Sequence, residues 1–147
     1  MSGTPPVFDE AFTETFAELL AWRRGVRRFR REPLPDGLIE RLLAQAALSP
    51  SVGHSQPWRF VRVGEETQRE AVRQSFQRCN VEALTDYQGE RAKLYASLKL
   101  EGMREAPEQI AVFCDHGTGQ GHGLGRNTMT EMRSYSVGAA VTPFWLA

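Results

Sequence analysis

The chain has 147 residues, of which 41% are apolar and 24% charged, the composition of a folded globular protein and not of a disordered one. Its 18 basic and 18 acidic residues cancel, so net charge favours neither nucleic acid nor an anionic membrane as a partner. No apolar run is long enough to cross a bilayer, and the two cysteines, Cys79 and Cys114, form no CxxC pair. These features predict a single cytoplasmic domain, residues 1–147, with reduced thiols.

Helix-like and strand-like segments alternate along the chain. Helical apolar spacing is found in residues 8–22, 38–47, 68–80 and 90–104, and the first of these helices should place Phe8, Phe12 and Phe16 in the core. Residues 58–63 and 110–114 have the composition of strands. Residues 131–147 predict a buried helix that Pro143 should kink. The pattern indicates a layered α+β or α/β domain with only two clear strands, which are too few for a stable sheet.

Residues 117–125 carry glycine at every other position, a composition that predicts a flexible flap. The segment contains neither GxxxxGK[ST] nor GxGxxG, so it does not predict a nucleotide loop. His116 and His122 flank the glycines and Asp115 lies nearby. A catalytic zinc site needs three well-placed ligands, and this spacing matches no such signature, so no metal is predicted.

Six of the nine residues from 23 to 31 are arginines. The planar guanidinium fork suits a phosphate, and a flexible Gly25 lets backbone N–H groups approach a bound anion. Two other interpretations stay open. A charge run can be a solvated surface, and basic residues with Trp22 and Phe29 between them could bind nucleic acid.

Residues 49–58, with the sequence Ser-Pro-Ser-Val-Gly-His-Ser-Gln-Pro-Trp, form a polar loop before the first strand. Its hydroxyls, imidazole and amide could hydrogen-bond the edge of a heteroaromatic ring. The alternative is ordinary turn and cap chemistry, which uses the same residue types.

Taken together, Arg-Arg-x-Val-Arg-x-Phe from Arg23 and Pro-Ser-x-x-x-x-Gln-Pro-Trp from Pro50 resemble the nitroreductase family. The resemblance implies an α+β, three-layer fold with a central mixed sheet flanked by helices, binding FMN as a homodimer. In that family the arginine segment holds the FMN phosphate and the loop lies against the flavin. The residues that the resemblance places at FMN in these two segments are Arg23, Arg24, Gly25, Val26, Arg27, Ser51, His54 and Ser55. Many relatives have asparagine where His54 stands.

Further matches resemble the dimethylbenzimidazole synthase branch of the family, which uses O2 to cut reduced FMN and release dimethylbenzimidazole. They comprise Tyr95-x-Ser97-Leu98-Lys99-Leu100-Glu101-Gly102, Ala106-Pro107, Gly123-Leu124-Gly125-Arg126-x-Thr128-Met129 and Tyr135-Ser136. The resemblance implies that Lys99 or its neighbours contact FMN, that the glycine-rich flap covers the flavin, and that Ser136 is catalytic. Without the resemblance, Ser136 would be interpreted as a small packed helix residue.

The sequence departs from that branch at two points. Gly25 stands where the branch has a catalytic aspartate, and family members continue for further strands and an arm beyond the position of Ala147. We therefore expect a C-terminally incomplete member of the fold. Three functions follow: a synthase that uses FMN as cofactor and substrate, a generic FMN-dependent nitro or corrinoid reductase, and an inactive truncated fragment or basic binding module.

Overall fold

The computed structural model describes residues 4–84, 88–90, 102–125 and 127–147. These ranges contain two strands, β1 (Trp58–Arg62) and β2 (Ile110–Cys114). Their helices are α1 (Glu10–Trp22), α2 (Leu38–Ala46), α3 (Glu66–Leu84), the short α4 (Gly102–Glu105) and α5 (Met132–Leu146), with a 3-10 turn at Val52–His54. Both predicted strands are confirmed, as are the first two helices and the last.

The two strands pair antiparallel, with Trp58 opposite Cys114 and Arg62 opposite Ile110. A backbone hydrogen bond from Asp115 N to the Pro57 carbonyl, 2.7 Å long, extends the ladder beyond one end. The resemblance implies a mixed sheet, whereas the sheet formed by the described residues is this antiparallel pair. Because two strands alone are marginal in water, the pair needs packing on its faces.

Helix α5 supplies that packing, since it contacts both strands and α2. The Phe60 and Phe144 rings stack with centroids 6.3 Å apart. Ala46 of α2 and Ala140 of α5 are fully buried, and their small side chains let helices approach closely. The core of the described chain therefore lies where α2, α5 and the strand pair meet.

Pro143 lies inside α5, yet the helix continues to Leu146. Proline has no N–H, so the Ala139 carbonyl loses its usual partner four residues later. The Ser49 hydroxyl donates to that carbonyl at 3.3 Å. Ser49, three residues after the end of α2, thereby pairs the Ala139 carbonyl that Pro143 leaves without a helical partner.

Helix α1 does not place its apolar face in the core. The Asp9 carboxylate caps the helix by accepting from Phe12 N at 2.9 Å, as its sequence position favours. However, no residue of α1 is buried, and the Phe12 and Phe16 rings stack on each other at 6.2 Å. The expectation that Phe8, Phe12 and Phe16 are core residues is wrong among the described residues, because the three residues are 66%, 49% and 45% exposed.

Two arginines of α3 fasten this helix to the segment that precedes β2. Arg69 donates to the carbonyls of Ala106 and Pro107 at 3.1 and 2.9 Å. Arg73 is buried, donates to the Met103 carbonyl at 3.4 Å and bonds the Glu70 carboxylate of its own helix at 2.8 Å. Helix α3 is longer than the predicted residues 68–80. Of the predicted helix at 90–104, the stretch with Leu94 and Leu98 lies outside the described residues.

Candidate functional site

Residues 51–57, the serine loop, fold into one tight 3-10 turn between α2 and β1. The Ser51 carbonyl accepts from His54 N, and the Ser51 hydroxyl accepts from Gln56 N, both at 3.0 Å. The φ angles of Gly53, His54 and Gln56 are 54°, 56° and 39°. For residues other than glycine this left-handed backbone costs roughly 1–3 kcal/mol and persists only where neighbours enforce it. The serine loop is thus a strained turn that needs support.

Helix α5 supports the loop from beneath through Ser136. The Ser136 hydroxyl accepts from Val52 N at 3.1 Å and donates to the Met132 carbonyl at 2.7 Å. Ser136 is 6% exposed. The structure therefore places this residue directly under the serine loop, with its proton already engaged.

Residues 117–125, the glycine loop, dock on the other side of the serine loop. His122 N donates to the Gly53 carbonyl at 2.9 Å. Gly121 has a φ of 77°, and a Cβ there would overlap the Gly53 carbonyl oxygen and lie 2.6 Å from that of His54. Glycine is therefore required at position 121 because the backbones of the two loops approach each other too closely there for a side chain.

Arg59 of β1 joins the two loops. Its guanidinium donates to Asp115 Oδ2 at 2.7 Å, to Thr118 Oγ1 at 3.4 Å and to the Gln56 carbonyl at 3.1 Å. The side-chain amides of Gln56 and Gln120 also bond each other at 2.5 Å. Charge-assisted hydrogen bonds are stronger than neutral ones, so Arg59 is the main fastening between the loops on this side.

Ser55 is the polar group of the serine loop that lacks a partner. It is 4% exposed, and its hydroxyl makes no hydrogen bond among the described residues. Leaving a buried hydroxyl unpaired costs about 1–3 kcal/mol. A ligand with a hydrogen-bonding edge would remove that penalty by contacting Ser55.

Residues 23–31, the arginine segment, are exposed throughout. The Arg24 guanidinium donates to the carbonyls of Ala21 and Trp22 at 2.7 and 3.0 Å, at the negative end of the α1 dipole. Arg23 lies over the Trp145 ring, 4.6 Å from its centroid. Two of the arginines predicted to hold phosphate thus have internal partners, which they could exchange at an exposed site.

The remaining arginines of the segment differ in their partners. Arg28 forms an ion pair with Glu105 at 3.4 Å. Arg27, Arg30 and Arg31 have no hydrogen bond or ion pair with any residue that the structure describes. A Cβ added at Gly25 would meet no atom within 4 Å. Arg27 is therefore the predicted phosphate ligand whose guanidinium is most readily available.

A cavity of about 600 Å³ lies between the arginine segment, α3, α4 and β2. Val26 and Arg27 are on its wall, and Asn80 contributes a buried side-chain oxygen without a partner among the described residues. The apolar lining includes Phe29, Val72, Phe76, Met103 and Ile110. The volume is in the range of small-molecule sites.

The predicted site residues fall into two groups that the described contacts do not join. One group comprises the serine-loop residues Ser51, His54 and Ser55 together with Ser136, whose hydroxyl bonds that loop. No hydrogen bond or ion pair connects that group to the arginine segment within the described part of the chain. Lys99, predicted at FMN, lies outside the described residues, as does Arg126.

Sequence reasoning missed three residues that organise the site. Arg59 gave no signal, because an arginine on a half-exposed strand is ordinary. Asp115 was noted only as a neighbour of two histidines, and Glu105 carries no motif. Their roles depend on partners distant in sequence, such as Asp115 for Arg59, 56 positions away.

No group of three or more His, Cys, Asp or Glu side chains among the described residues could hold a metal ion. No helix in the same ranges has the length and apolar character needed to span a bilayer.

Comparison with known proteins identifies the family of this arrangement. The family model described as "Nitroreductase family" matches residues 20–147, so the chain belongs to the nitroreductase family and the resemblance of its motifs is confirmed. The 5,6-dimethylbenzimidazole synthase of Rhodospirillum rubrum is 53% identical over 144 residues, which cover 98% of this chain and 68% of that protein.

Solved structures confirm the α+β fold. Iodotyrosine deiodinase, crystallised with FMN and 3-iodo-L-tyrosine, superposes with a TM-score of 0.69 at 24% identity, over 88% of this chain and 66% of that one. A BluB-like flavoprotein from Clostridium difficile gives a TM-score of 0.64 at 19% identity, over 89% of this chain and 68% of that one. The chain thus spans about two thirds of the length of these proteins.

Proposed function

We propose that the chain is a flavin-dependent oxidoreductase of the 5,6-dimethylbenzimidazole synthase type. In that reaction reduced FMN, as cofactor and substrate, reacts with O2 and its ring system is cut to release the lower ligand of vitamin B12. The observation that carries the proposal is the 53% identity to the Rhodospirillum rubrum synthase across 98% of the chain.

The residues of the serine loop fit a flavin. An isoalloxazine edge presents carbonyl oxygens and ring nitrogens, and the unpaired Ser55 hydroxyl could donate to one of them. His54 has a left-handed backbone, and such a conformation persists only where neighbouring structure enforces it. Here α5 and the glycine loop both contact the serine loop and hold its turn in place. Binding of the ring here would satisfy a buried polar atom that the described chain leaves unpaired.

The arginine segment fits the other end of FMN. A phosphate monoester carries close to two negative charges and accepts bidentate bonds from a guanidinium. Arg27 is available for this, and Arg23 and Arg24 can turn from their exposed partners. The proposed FMN-contacting residues are Arg23, Arg24, Gly25, Val26, Arg27, Ser51, His54, Ser55 and Lys99.

Ser136 is proposed as the catalytic serine of the synthase reaction. Its hydroxyl already bonds Val52 N and the Met132 carbonyl. To reach a ligand it would exchange one of these bonds, and the donor bond to Met132 is the one that frees a proton. Ser136 therefore has a structural role whether or not it takes part in chemistry.

The proposed partners are FMN, O2 and a second copy of the chain in a cytoplasmic homodimer, each chain forming one domain. The resemblance to the family supports the dimer. The cytoplasmic location agrees with Cys79 and Cys114, which are free thiols, the state that a reducing compartment maintains. Sedimentation analysis with and without FMN measures the oligomeric state.

A generic FMN-dependent nitro or corrinoid reductase is the second candidate. The specific observation in its favour is Gly25, which stands where the synthase branch has a catalytic aspartate. Hydride transfer through the flavin needs no carboxylate at that position. Both candidates share the FMN site and differ in the product formed from reduced flavin.

Fluorescence titration with FMN tests the shared site. Arg27→Ala should weaken binding by roughly tenfold or more, through loss of a charge-assisted contact of about 1.5–3 kcal/mol, and Ser55→Ala should weaken it less. Arg41→Ala, an exposed arginine of α2, is the matched control. Arg41→Ala should leave the affinity unchanged; if Arg27→Ala and Ser55→Ala also bind FMN with the affinity of the unaltered chain, the site assignment is wrong.

Chromatography of products after incubation with reduced FMN in air separates the two candidates. Dimethylbenzimidazole indicates the synthase. Oxidised FMN alone excludes the synthase reaction and leaves the generic reductase or an inactive chain, because reduced FMN is also oxidised spontaneously in air. Equal binding of FMN and of random-sequence DNA would instead favour a basic binding module.

A further inference from the structure

Helix α4 holds the middle of the arginine segment through Glu105. One carboxylate oxygen accepts from Phe29 N at 3.1 Å, and the other forms the ion pair with Arg28 at 3.4 Å. The Glu105 side chain is 13% exposed whereas that of Arg28 is 75% exposed. A largely buried carboxylate therefore binds both the backbone and a side chain of two adjacent residues.

Gly102, at the other end of α4, contacts the same stretch. A Cβ at Gly102 would lie 2.6 Å from the Phe29 ring and 3.0 Å from the Arg27 carbonyl oxygen. Only glycine allows this approach without displacing the segment. Residues 27–29 are thus fixed at two points one helical turn apart.

Helix α4 is itself braced, so it can act as a fixed support. The Met103 carbonyl accepts from Arg73 at 3.4 Å and from the Gln109 side chain at 2.5 Å. Arg73 is in turn bonded to Glu70 within α3. The position of Glu105 is therefore set by α3 and by the segment before β2.

We propose that Glu105 is a positioning residue for phosphate recognition: it holds residues 27–29 in the conformation from which Arg27 binds the phosphate of FMN. The inference rests on the proposed function. Electrostatics predicts the opposite effect on FMN affinity, because a carboxylate near the phosphate repels it. If charge were its only effect, removing Glu105 would strengthen FMN binding, whereas a positioning role predicts that removal weakens it.

The experiment compares FMN with riboflavin, which has the same ring system and no phosphate, at one fixed ionic strength. Glu105→Ala should weaken FMN binding roughly fivefold or more, about the equivalent of one net hydrogen bond, and leave riboflavin affinity within about twofold. Glu105→Gln should restore FMN binding, because its carbonyl oxygen can still accept from Phe29 N. The matched control is Glu40→Ala, which removes an exposed carboxylate of α2 away from both the segment and the cavity and should leave FMN binding unchanged.

A ligand-free measurement supports the same test. Hydrogen exchange at the Phe29 amide should become faster in Glu105→Ala and stay slow in Glu105→Gln. Unchanged or tighter FMN binding by Glu105→Ala, or equal losses for FMN and riboflavin, would overturn the inference. If the unaltered chain binds neither flavin, the proposed function fails and the inference fails with it.

Discussion

The hydroxyl of Ser136 accepts a hydrogen bond from the Val52 amide across 3.1 Å, and this contact joins α5 to the serine loop. The same hydroxyl donates to the Met132 carbonyl one turn earlier. It therefore satisfies a loop amide that helix α5 could not otherwise reach. A variant at Ser136 will report on the support of the loop as well as on any chemistry.

Ser136→Ala should lower the free energy of unfolding by about 1–3 kcal/mol, because the part-buried Val52 amide loses its partner. Thr142→Ala is the matched control, since the Thr142 hydroxyl donates only to the Gly138 carbonyl of its own helix. Its effect should stay within about 0.5 kcal/mol, as for surface substitutions generally. Urea unfolding without FMN gives both values. Equal losses for the two variants would show that the Val52 contact contributes nothing of its own.

Gly121→Ala should separate the glycine loop from the serine loop, because its Cβ would overlap the Gly53 carbonyl oxygen. Gly123→Ala is the control: its φ of 67° imposes similar backbone strain, but its Cβ would meet nothing within 4 Å. We expect faster limited proteolysis of residues 117–125 and weaker FMN binding for Gly121→Ala than for Gly123→Ala. Identical behaviour would mean that backbone strain alone, and not the contact between loops, governs this segment.

The ion pair between Arg62 and Glu108 should make stability depend on pH. The hydrogen bond from Arg62 lowers the pKa of the Glu108 carboxyl below its usual 4.5. A lowered pKa gives stability that is fully present above the unfolded-state pKa and is lost as the pH falls through the folded-state pKa. Glu108→Gln should therefore lower the Tm slightly at neutral pH, and the difference should disappear as the pH falls below the folded-state pKa of Glu108, where the protonated carboxyl is neutral like the amide. A difference in Tm that is independent of pH would contradict this account.

The local features of the fold could be predicted from sequence, and the contacts that assemble the site could not. The apolar spacing of α2 and the composition of β1 depend on neighbouring residues, so the boundaries came out within a few positions. The bond between Ser136 and Val52 joins residues 84 positions apart, and no local pattern encodes it. Phe12 and Phe16 were misassigned for a related reason. Amphipathic spacing shows that a helix has an apolar face and leaves open what covers that face.

Gly25→Asp should increase dimethylbenzimidazole formation if the chain is a synthase. A Cβ at Gly25 would meet nothing within 4 Å, and its φ lies outside the left-handed region, so aspartate fits without strain. A carboxylate placed beside the reacting group is typically worth roughly 10²- to 10⁴-fold in rate. We therefore expect little product from the unaltered chain and clearly more from Gly25→Asp.

Gly25→Asn is the decisive control for this prediction, because it has nearly the same shape as aspartate and cannot act as a base at neutral pH. Product is measured by chromatography after incubation with reduced FMN in air, beside a sample that follows simple flavin reoxidation. Ser136→Ala in the Gly25→Asp background should reduce the product again. Abundant product from the unaltered chain would show that another residue supplies the base. Equal product from the aspartate and asparagine variants would exclude proton transfer at position 25, and no product from any form with FMN bound would favour the generic reductase.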